Sequence, residues 1–131
     1  MTRKQAREEA FILVFEKEFN GNTTGEILEA AAEARDLEPD DYVKTVFCGV
    51  YDCLSELDGV ISENSVGWSI NRISKTALCI LRLALYEINY MDDIPVSVSI
   101  NEAVELAKKY ATKDDASFIN GILSTVVKKN K

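Results

Sequence analysis

From Trp68 to Leu123 the apolar residues recur at helical spacing. Ala77, Ile80, Leu81, Ala84 and Ile88 form a stripe, with Leu78 and Leu85 beside it. A stripe that wide belongs to a helix buried on most of its sides. Asp92-Asp93-Ile94-Pro95 stops it, because proline disfavours helical geometry in the residue before it. A second helix follows, with Ile100, Ala103, Val104 and Ala107 on one face and Asn101, Glu105, Lys108 and Lys109 largely turned away. After Thr112-Lys113-Asp114 a third carries Phe118, Ile119, Ile122, Leu123 and Val126. The pattern predicts a three-helix core with short connections.

The first half of the chain reads the same way. Thr2 caps a first helix that runs to about Asn20, with Ala6, Ala10, Leu13 and Val14 in one stripe and Phe11 and Phe15 widening it. Asn20-Gly21-Asn22 ends it with residues that tolerate left-handed geometry. Thr23-Thr24-Gly25-Glu26 fits a capping box and opens a short, alanine-rich helix through Ile27, Leu28, Ala31 and Ala34. Glu38-Pro39-Asp40-Asp41 is a break and a restart, with acids where the helix dipole favours them. Val43, Val46, Phe47, Val50, Leu54 and Leu57 then form a long stripe, with Gly59 as the point where it bends or divides. Trp68, the only tryptophan, reads with Ile70 and Ile73 as a plug at the end of the core, or as a ligand-stacking ring. Val96-Ser97-Val98-Ser99-Ile100 alternates like a strand, but between a proline and a clear helix it is a helix start, with Ser97 or Ser99 as cap. The fold class is all-α: one compact domain over residues 1–131, with about six or seven helices and no internal repeat.

Composition narrows the class. A chain of 131 residues with 47% apolar and 28% charged content can bury a real core. No apolar run approaches the ~20 residues of a membrane helix, and the charged start lacks a signal peptide's apolar segment. The expectation is a cytoplasmic protein. Cys48, Cys53 and Cys79 lie in helical apolar faces without zinc-ligand spacing, so they read as buried, reduced thiols. A net charge of −7 argues against indiscriminate nucleic-acid coating, yet positive charge gathers at Arg3-Lys4-Arg7 and at Lys128-Lys129-Lys131.

Catalytic chemistry has little to work with. The absence of histidine removes Ser-His-Asp and Cys-His arrangements and most catalytic metal sites. No glycine-rich loop follows a strand, so neither a dinucleotide fingerprint nor a phosphate loop is present. Asp92-Asp93 and Asp114-Asp115 read as turn and cap residues. The expectation is no enzyme, no cofactor and no metal. Arg82, within an apolar run, needs a partner; Glu87 is poorly spaced for it, and Glu102 on the next helix is the expected one. Asn120-Gly121 reads as a close helix approach.

Leu-Arg-x-Ala-x-Tyr-Glu from Leu81, then Ile94-Pro95, then Ile100-Asn-Glu-Ala-Val-Glu-Leu-Ala-Lys108, then Phe118-Ile-Asn-Gly-Ile-Leu123, in that order, resembles the NusB family of bacterial transcription antitermination factors. The resemblance is strong over Trp68 to Val126 and extends to Arg3-x-x-x-Arg7-Glu8, similar to the family's arginine-rich first helix. It implies binding of single-stranded boxA-type RNA from ribosomal leader transcripts together with NusE, a small-subunit ribosomal protein. It further implies joining other Nus factors on RNA polymerase, with self-association to a homodimer in some members. Where the family has an acidic-basic pair before Ile-Leu-Arg, this chain has Ala77-Leu78, which is either a partner surface or additional core.

The same fold also serves as the N-terminal part of certain ribosomal-RNA cytosine methyltransferases. Those continue into a catalytic domain, whereas this sequence stops at Lys131, so the expectation is an adaptor. A helical interaction module without RNA affinity is the third reading, separable by measuring RNA binding with and without NusE. Arg3 and Arg7 are four apart and share a face with Lys4 nearby, at a helix start where backbone amides also attract anions. Arg3, Lys4 and Arg7 are the candidate RNA-binding residues, with Lys113 and Phe118 extending the surface from the last helix; Phe118 also fits the core.

Overall fold

The computed structural model describes residues 1–35, 40–65, 67 and 69–129. These form seven α-helices: α1 Arg3–Glu18, α2 Thr24–Arg35, α3 Asp41–Asp52, α4 Leu54–Asn64, α5 Lys75–Tyr90, α6 Val96–Tyr110 and α7 Lys113–Lys129. A single 3-10 turn, Ile70–Arg72, precedes α5, and among the described residues there is no strand. The fold is all-α, as its apolar periodicity requires. Trp68 and the Glu38-Pro39 break lie outside the described residues.

Helix α5 is the axis of the molecule. Its residues are buried without interruption from Ala77 to Leu85, and it packs against α1, α3, α4, α6 and α7. A helix apolar on most sides, with its buried Arg82 and Glu87 each paired to opposite charge, suits such a position. Ile80, Leu81, Leu83 and Leu85 are among the largest fully enclosed side chains, each contributing about 1.5–3 kcal/mol by leaving water. Ala77 and Leu78 belong to this core, so the departure from the family's charged pair enlarges the interior instead of creating an exposed face.

The helix ends follow local chemistry. Thr2 accepts the Gln5 amide through its side chain, while Gln5 returns a bond to the Thr2 amide. Thr23 and Glu26 make the same reciprocal pair, and Thr112 and Asp115 do so before α7. Asp40 caps α3 and Ser74 caps α5.

Several expectations change. Helices α3 and α4 divide at Cys53, while Gly59 passes unbroken through α4. The turn after α1 uses no left-handed glycine; Asn20 Oδ1 closes it by accepting the Asn22 amide at 2.7 Å, and the positive φ, 81°, belongs to Gly67. Pro95 itself begins α6, so neither Ser97 nor Ser99 caps it. Gly121 faces open space and Asn120 is exposed, so this pair mediates no close helix approach.

Candidate nucleic-acid interface

The capped start of α1 presents Arg3 and Lys4 to solvent, while Arg7, one turn on, points inward. Arg7 is 3% exposed, and its Nε and Nη2 donate to the two carboxylate oxygens of Glu87 at 2.7 and 3.3 Å. The three basic residues therefore do not form one solvent-facing cluster. The fifth position of the helix falls on the core side, and a carboxylate waits there.

Glu87 is fully enclosed and gathers four helices. Besides Arg7 it accepts the Tyr42 hydroxyl from α3 and the Ser99 hydroxyl from α6, the latter at 2.8 Å. Burial opposes the Arg7 charge, but bonding to Glu87 and the nearby carboxylates outweigh it, and the guanidinium pKa rises above its ordinary value. Burial, with Glu87 alongside, raises the Tyr42 phenol, so Tyr42 stays a donor. Three donors from three helices satisfy one buried carboxylate, which is what makes its enclosure tolerable. Cζ of Arg3 then lies 4.7 Å from the Tyr42 ring centroid.

Helix α6 runs beside α1 and supplies further charge. Lys4 Nζ lies 3.3 Å from Glu102, which is also 3.9 Å from Arg7 Nη1. Lys109 donates to Glu8 at 2.6 Å, and the Tyr110 hydroxyl bonds the same carboxylate. Bonds from Lys109 and Tyr110 hold the Glu8 carboxyl below the usual range. Lys109 and Tyr110 thus join the basic edge, although the sequence reading passed over them. The signal was present: a lysine pair followed by an aromatic at a helix end.

Lys113 and Phe118 lie elsewhere. Lys113 is exposed and lines a broad groove of about 950 Å³ between α6 and α7, with Asn101, Lys108, Ser117 and Asn120. Phe118 is half-buried on another side of α7, beside Arg72, Ser74 and Asp115, in a cavity of about 150 Å³. Arg7 is anchored near the C-terminus of α5, at Glu87, whereas Phe118 flanks its N-cap, Ser74. Thirteen residues of helix rise about 20 Å, so Phe118 and the α1 start belong to separate ends of one molecule.

Between those ends runs an aromatic ridge. Buried Phe11 meets Tyr110 and Phe15 at a tilt, and Phe15 meets Phe19 edge-on, with centroids 5.1, 6.1 and 5.0 Å apart. Phe19 is 66% exposed. An open depression of about 390 Å³ beside the ridge is lined by Ile12, Phe15 and Thr76.

Arg82 is buried but not paired with Glu102. Its Nε and Nη2 donate to Asp58 at 2.8 and 2.9 Å, and Nη1 lies 2.9 Å from Glu18. The reason is directional: this face of α5 looks toward α4 and the end of α1, while Glu102 sits against the start of α1. Cys79 is buried, and burial with Glu18 nearby pushes its thiol up to about 12. Cys48 and Cys53 are half-buried. Among the described residues no group of three or more His, Cys, Asp or Glu is placed to hold a metal ion, and no helix is long and apolar enough to cross a membrane.

Known proteins resemble this chain over nearly its whole length. Residues 4–128 match the model of the NusB family. The transcription antitermination protein NusB of Ruminiclostridium cellulolyticum is 45% identical over 130 residues, covering 98% of this chain and 90% of the relative. NusB of T. maritima superimposes with a TM-score of 0.86 at 34% identity, over 98% of this chain and 92% of that one. A crystal structure of antitermination factors NusB and NusE in complex with double-stranded RNA gives a TM-score of 0.85 at 27% identity, over 97% and 96% of the two chains. By its match to the family model and its likeness to these relatives, the chain belongs to the NusB family, a non-catalytic family of transcription antitermination proteins.

Proposed function

We propose that this protein is a cytoplasmic RNA adaptor that binds boxA-type single-stranded leader RNA together with NusE, and so joins the Nus factors on RNA polymerase during ribosomal-RNA transcription. The observation that carries this reading is the start of α1, where Arg3 and Lys4 project from a capped helix end pinned to the core by Arg7 and Glu87. Exposed cations on an immobile base, beside helix amides, suit phosphate. Lys109 and Tyr110 continue this edge, while Lys113 and Phe118, on different sides of α7, offer further RNA contacts away from it. Arg7 contributes by holding the helix end in place.

The aromatic ridge is the surface we assign to NusE. It is the apolar strip next to the basic edge, and an acidic molecule of net charge −7 attracts a basic ribosomal protein at long range. The homodimer would cover the same ridge.

The test replaces Arg3 and Lys4 together with alanine and leaves Arg7, whose loss attacks the fold itself. Circular dichroism should be unchanged. Affinity for single-stranded leader RNA should fall, and the log–log salt slope should flatten by roughly 0.7 per lost phosphate contact. NusE binding, read by size-exclusion chromatography, should survive. A duplex of the same sequence, measured in parallel, shows which RNA form the edge prefers. Unchanged affinity and slope would place RNA elsewhere.

A further inference from the structure

Tyr42 carries two contacts on two parts of one side chain. It stands in the first turn of α3 and is only 5% exposed. Its hydroxyl bonds Glu87, the enclosed carboxylate that also receives Arg7 and Ser99. Its ring faces two guanidinium groups, with Cζ of Arg3 at 4.7 Å and Cζ of Arg7 at 5.7 Å from the centroid. Arg7 has a bidentate anchor of its own, but Arg3 is exposed, and the ring holds it from below.

We propose that Tyr42 is a positioning residue for RNA binding: Glu87 fixes the ring, and the ring holds the Arg3 guanidinium ready for phosphate. The inference rests on the reading that the start of α1 binds RNA. An exposed arginine samples many rotamers, and ordering it on a phosphate carries an entropic penalty. A ring that already restricts it removes part of that penalty. With its Cζ over the ring, the Arg3 guanidinium still carries N–H donors enough for a bidentate phosphate. Tyr42 thereby links a buried charge cluster to an exposed cation without touching RNA itself.

The hydroxyl and the ring can be removed separately. Y42F keeps the ring but frees it from Glu87, so the urea midpoint should fall and RNA affinity should weaken, though less than in Y42L. Y42L removes the ring and should weaken RNA binding by about two- to five-fold, the range expected of an exposed cation–π contact. R3A should weaken binding at least as much, and Y42L on top of R3A should add nothing, because Tyr42 acts through Arg3. Effects that multiply in the R3A/Y42L double variant overturn the inference alone. R3A with wild-type affinity overturns both it and the assignment of RNA to this helix end. The wild-type protein gives a reading that needs no variant: the Arg3 side-chain protons should show ring-current shifts by NMR, and random-coil shifts would overturn the contact.

Discussion

Arg7 Nε donates to Glu87 Oε2 at 2.7 Å across eighty residues of chain, and both side chains are closed to solvent. The pair joins the first helix to the central one at the end that carries Arg3 and Lys4. R7A leaves a buried carboxylate without its cation and should lower stability by about 3–5 kcal/mol. E87Q strands the guanidinium and should be similarly damaging. The two losses should be far from additive in the double variant, measured by urea unfolding in a double-mutant cycle.

Ser99 and Ser97 separate a buried hydroxyl from a solvated one two residues away. S99A removes one of the three donors to Glu87 and should destabilise by about 1–3 kcal/mol. S97A, on the exposed side of α6, should stay within about 0.5 kcal/mol of wild type by thermal unfolding. Equal effects would mean that the Ser99 bond contributes nothing.

Gly49 is where α3 meets the Tyr86 ring of α5. A Cβ there would stand 2.3 Å from the ring carbons, so G49A must push Tyr86 aside. Alanine's better helix propensity, about 1 kcal/mol, offsets part of the strain. The net loss should be up to about 2 kcal/mol, given that overpacking typically costs about 1–3 kcal/mol. G49A/Y86L should recover much of it, since leucine vacates the space; a G49A protein as stable as wild type would show that the ring yields freely.

Acid should loosen the far end of α1. Burial disfavours the Glu18 charge, yet Arg82, Tyr51 and Lys75 outweigh it and hold the carboxyl below the usual range. The unfolded chain therefore binds that proton at higher pH than the folded one. The pair's stabilisation is complete above the ordinary glutamate value of about 4.3 and is lost as pH falls through the lower, folded value. E18Q should flatten the decline of unfolding free energy with pH in that window; an unchanged profile would assign the acid sensitivity to other carboxylates.

The helices were legible because each apolar stripe had the period of a helix and several starts had a side-chain cap. Thr2 and Thr23 signal their roles within three residues, a range over which sequence spacing is spatial proximity. The partners of Arg7 and Arg82 were not legible in that way. Their carboxylates come from other helices, 80 and 24 residues distant for Glu87 and Asp58, and depend on which way α5 is rotated. The same gap hid which residues of the basic run face solvent. Arg3, Lys4 and Arg7 look equivalent as a basic run, but Arg7, one turn further along nearly the same face as Arg3, is buried against Glu87 and the other two stay outside. Gly59 and Cys53 show the limit at boundaries: glycine signalled the break, while the chain turned where α4 could best reach α5 and α7.

Two clusters tie α1 to α5, with Arg7 on Glu87 at one end and Glu18 on Arg82 at the other. They lie eleven residues apart on α1, a rise of about 16 Å. An apolar interface alone tolerates sliding, since a helix moved by one turn presents another row of similar side chains. Here such a slip would bring Phe11 to Glu87 and carry Glu18 away from Arg82, stranding charges at both ends at once. The opposite signs of the two anchors also reject the reversed packing. The pair of locks acts as a ruler, setting the depth at which the first helix sits and therefore how far its basic tip extends beyond the body.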